Sequence, residues 1–71
     1  MMQREHVIRL LREANVAARS GSVSAVGAAL ADAERATSMW LDDHPDDLDV
    51  SAGREMLAAL REGFDDLLAP A

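Results

Sequence analysis

Apolar residues recur along this 71-residue chain at helical spacing, in three blocks separated by short polar breaks. At about 100° per residue, Val7, Leu10, Leu11, Ala14, Ala17 and Ala18 fall on one stripe, with Glu5, Arg9, Arg12 and Arg19 opposite. Ile8 flanks the stripe and Val16 lies outside it. Glu5 and Arg9 stand in the i,i+4 order that favours an ion pair on a helix surface. The pattern predicts a helix over residues 3–19. The "RSGS" that follows supplies Gly21 for a left-handed helix end and Ser22 as a cap for the next helix.

The second block puts Val23, Val26, Leu30, Ala33, Thr37, Trp40 and Leu41 on a stripe, with Ala29 and Ala36 at its flank. Asp32, Arg35 and Met39 face away, and the predicted helix covers residues 22–42. Nearly every residue from Ser22 to Ala33 is small, so a neighbouring helix can come close there. Gly27 lies beside the stripe, although glycine costs a helix interior about 1 kcal/mol relative to alanine. The third block has the clearest face: Met56, Leu57, Leu60, Phe64, Leu67 and Leu68, with Gly53 one turn earlier. Arg54, Glu55, Glu62, Asp65 and Asp66 point mostly outward, and a helix over 48–69 is predicted, ended by Pro70. The whole chain, residues 1–71, reads as a single all-α domain, a small antiparallel three-helix bundle that dimerisation could complete.

Composition supports helices and narrows the chemistry. There are 14 alanines, only two aromatic residues (Trp40 and Phe64), one threonine and no tyrosine, a usage that favours helix over strand. No cysteine is present, so neither a disulfide nor a thiolate zinc site can staple so short a chain. Well-packed helices or a partner chain must do so instead. Arg9 and Arg12 break the apolar run near the start, which argues against a signal peptide. No apolar stretch approaches the roughly 20 residues of a membrane span. A soluble, cytoplasmic protein is expected.

The net charge of −6 is unevenly placed. Residues 1–20 carry four arginines against two acids, a balance of +2; residues 21–71 carry three against eleven, a balance of −8. Phosphate backbones would be repelled by the acidic part, so direct nucleic-acid binding is disfavoured. The stretch "VAARSGSVSAVGAAL" imitates a helix-turn-helix, but its second helix offers no Arg, Lys, Asn or Gln to reach base edges. A basic protein partner, or a second copy that pairs the two halves, is favoured.

Charge is densest in "WLDDHPDDLDV", where Asp42, Asp43, Asp46, Asp47 and Asp49 surround His44 and Pro45. A calcium loop would need a glycine at its sixth position and a glutamate at its twelfth. Starting at Asp47 puts Ala52 and Ala58 there; starting at Asp42 puts Asp47 and Gly53 there. Both registers fail, and no metal or other cofactor is expected. Much of the stretch is helix punctuation: Pro45 disfavours helix at His44, and Asp47, Asp49 or Ser51 can cap the third helix. Asp42 and Asp43 sit instead at a helix C-terminus, where the dipole opposes each by about 0.3–1 kcal/mol.

No serine has a histidine placed to activate it, and no phosphate loop is present, so an enzyme is not expected. The expected function is a non-enzymatic, self-associating protein–protein interaction module, a small acidic adaptor or regulator forming a dimer. Trp40 lies on its stripe and can close the end of the core, but tryptophan is also the residue most enriched at interface hot spots. The expected partner-binding residues are therefore Trp40, Asp42, Asp43, Asp46, Asp47 and Asp49, with the off-stripe Met39 and Leu48. The alternative is an acidic inhibitor that imitates nucleic acid, of the anti-CRISPR or anti-restriction type, blocking a basic cleft. That alternative requires the acids, Asp65 and Asp66 included, to form one continuous face.

Overall fold

The computed structural model describes residues 3–69, so Pro70, the expected stop of the third helix, lies outside the described residues. They form three helices, α1 (Arg4–Ser20), α2 (Val23–Asp43) and α3 (Leu48–Leu68), in an all-α fold with no strand among the described residues. Each boundary falls within one residue of the periodicity. Local chemistry explains the breaks. Gly21 ends α1 at φ 79°, a left-handed conformation that side-chain-bearing residues rarely adopt. Ser22 takes the N-cap position of α2, but its hydroxyl makes no capping bond, contrary to expectation. The Ser22 N–H instead donates to Ser20 Oγ at 3.4 Å. At the other end of α2, the His44 N–H still donates to the Trp40 carbonyl at 2.8 Å. Pro45 then has no N–H with which to continue the helix.

Each helix packs against both others, in a body 40 × 16 × 16 Å. Val7, Leu11 and Ala14 of α1 are buried with Leu30, Ala33, Ala36 and Leu41 of α2 and with Val50, Leu57 and Phe64 of α3. Thr37 is the buried polar side chain among them; its hydroxyl donates to the Ala33 carbonyl one turn back, at 2.9 Å. Alanine and glycine set the close approaches. A Cβ built on Gly53 would lie 2.6 Å from Leu11 Cδ1, and one on Gly27 would lie 3.1 Å from the Phe64 ring.

The apolar stripes and the core differ at the helix ends. Val50 is fully buried though no stripe includes it. Val23, Leu67 and Leu68 lie on stripes yet are exposed. A stripe is buried only where another helix lies opposite it, and these three lie beside the α1–α2 turn or on the last turn of α3. The surface pairs also differ from expectation. Arg9 approaches His6 Nδ1 at 2.8 Å and Glu13 at 3.9 Å rather than Glu5. Arg61 grips Glu34 of α2 with Nε and Nη2, and lies 5.5 Å from the centroid of the Phe64 ring. None of the helices is long and apolar enough to cross a membrane.

Candidate functional site

The acidic stretch between α2 and α3 folds around one carboxylate. Asp47 caps α3, its Oδ1 accepting from the Val50 N–H at 3.3 Å. Its Oδ2 accepts from Trp40 Nε1 at 2.9 Å and from Arg4 Nε at 2.8 Å. Arg4 Nη2 donates to Oδ1 at 3.2 Å and to Asp49 Oδ2 at 3.1 Å. The start of α1, the end of α2 and the start of α3 are thus tied by a single side chain, 13% exposed. Hydrogen bonds from Arg4 and then from Trp40 hold the Asp47 carboxyl well below the usual carboxylate range.

Trp40 is half-buried against the core and stacks on His44, with ring centroids 3.8 Å apart and planes at 11°. His44 Nδ1 lies 3.1 Å from the Trp40 carbonyl. The tryptophan therefore spends its N–H and one face inside the molecule. Among the described residues, no three His, Cys, Asp or Glu side chains converge as metal ligands would.

The expected site residues separate into three groups. Trp40, Asp47 and Asp49 are joined to Arg4 in the network just described. Asp42, Asp43, Asp46 and Leu48 stand exposed at the same end, and among the described residues the three aspartates have no ion-pair partner. Met39 lies elsewhere, on a shallow hollow between α1 and α2 with His6, Leu10, Asp32 and Arg35. Asp65 and Asp66 are far from all of these. The 16 residues from Asp49 to Asp65 span about 24 Å along α3, at about 1.5 Å per residue.

A second feature lies toward the far end, where sequence reasoning placed core. Gly53 brings α1 and α3 together at Leu11. Beyond that contact a groove of about 280 Å³ opens, with Ala18 and Gly21 on one side and Ala59, Leu60, Gly63 and Leu67 on the other. Val23 and Val26 of α2 contribute to its lining, together with the edge of Phe64. No charged side chain lines it.

No protein family model matches the chain, and no characterised protein or solved structure shows significant similarity to it. Its function must therefore be argued from these two ends. The acidic end offers exposed carboxylates on a scaffold tied by Asp47. The groove end offers apolar surface that the core does not cover. In the sequence, the trace of the groove is Ala59 and Gly63, one turn apart beside the apolar face of α3.

Proposed function

We propose that this chain is a non-enzymatic protein–protein interaction module, a small acidic cytoplasmic adaptor or regulator that self-associates. The observation that carries the reading is apolar surface left outside the core: Val23 and Leu67 lining the groove, and Leu68 next to Leu67 in the chain. Singly exposed apolar residues are ordinary, whereas contiguous apolar surface around a concavity marks an interaction site. In this reading α2 runs antiparallel to α1 and α3. The meeting of Arg4 with Asp47 at one end, and of Gly27 with Phe64 toward the other, supports that arrangement.

The nucleic-acid-imitating inhibitor is less well supported. Its acids would have to share a face, but Asp65 and Asp66 stand about 24 Å along α3 from Asp49, and Asp47 and Asp49 are engaged by Arg4. The exposed Asp42, Asp43 and Asp46 favour a basic partner over an acidic one. Size-exclusion chromatography with light scattering, at tens of micromolar chain, tests the self-association. A mass of twice the 7.6 kDa chain is expected. A monomer mass under those conditions would sink the reading.

A further inference from the structure

We draw no further inference here: the strongest candidate, the apolar groove between α1 and α3 lined by Val23, Ala59, Gly63 and Leu67, is an unpartnered face, and nothing in the structure shows what covers it.

Discussion

Asp47 shows how much one side chain can be asked to do in a short chain. It satisfies the backbone N–H of Val50 in the first turn of α3, the indole N–H of a half-buried tryptophan, and the guanidinium of Arg4. Asp47→Ala removes the cap and strands the other two donors, so Tm should fall by roughly 5–10 °C in a thermal melt. Acid should act through the same group. Because its folded carboxyl titrates well below the ordinary 3.8, the unfolded chain takes up the proton first as pH falls. The stabilisation from Asp47 is complete above roughly pH 5 and drains away below, down toward the folded pKa. Asp47→Asn, which retains a capping oxygen but no charge, should flatten that acid limb in urea titrations at pH 3 and pH 6. An unchanged limb would assign acid sensitivity to the other carboxylates.

Between elements, small residues decide where helices touch. Gly53 allows α3 to lie against Leu11, and an added Cβ would meet Cδ1, Cδ2 and Cγ of that side chain at 2.6, 3.0 and 3.3 Å. Relief would require a buried leucine to move bodily, because its branch point is itself within reach. Overpacking of this kind costs about 1–3 kcal/mol, against about 1 kcal/mol gained from alanine's helix propensity. Gly53→Ala is therefore expected to destabilise by about 1 kcal/mol in denaturant titrations. Pairing it with Leu11→Ala should recover part of the loss caused by the added methyl, since the clash then has no partner. Should Gly53→Ala prove stabilising, α1 and α3 would have to lie farther apart than the geometry has them.

For the molecule as a whole, shape and charge govern how copies can associate. The body is 40 Å long and 16 Å across, and its net charge of −6 sets how a second copy can approach. Two associations are physically distinct. Pairing the basic first twenty residues with a partner's acidic loop would be weakened by salt. Apolar docking of like-charged chains would be strengthened as salt screens their repulsion. Raising NaCl from about 20 mM to about 300 mM shortens the screening length severalfold, and sedimentation or light scattering should then show a tighter dimer. Dissociation over that range would place the contact on charged surfaces instead.

The amino-acid sequence alone was enough for three helices and their limits, because periodicity, Gly21, Pro45 and the aspartates of the α2–α3 loop are local signals that act within a few residues. It also marked that loop as unusual, and Trp40 and Asp47 do meet there. Non-local contacts were beyond it. Nothing in the spacing of Arg4 and Asp47, or of Arg61 and Glu34, announces a bond across 43 or 27 residues. Nor can a stripe say where its opposing helix ends. Leu57 and Leu68 lie about 20° apart on the wheel, yet one is buried and the other is 56% exposed. Burial depends on what lies opposite, and only the tertiary arrangement of α1 against α3 determined that.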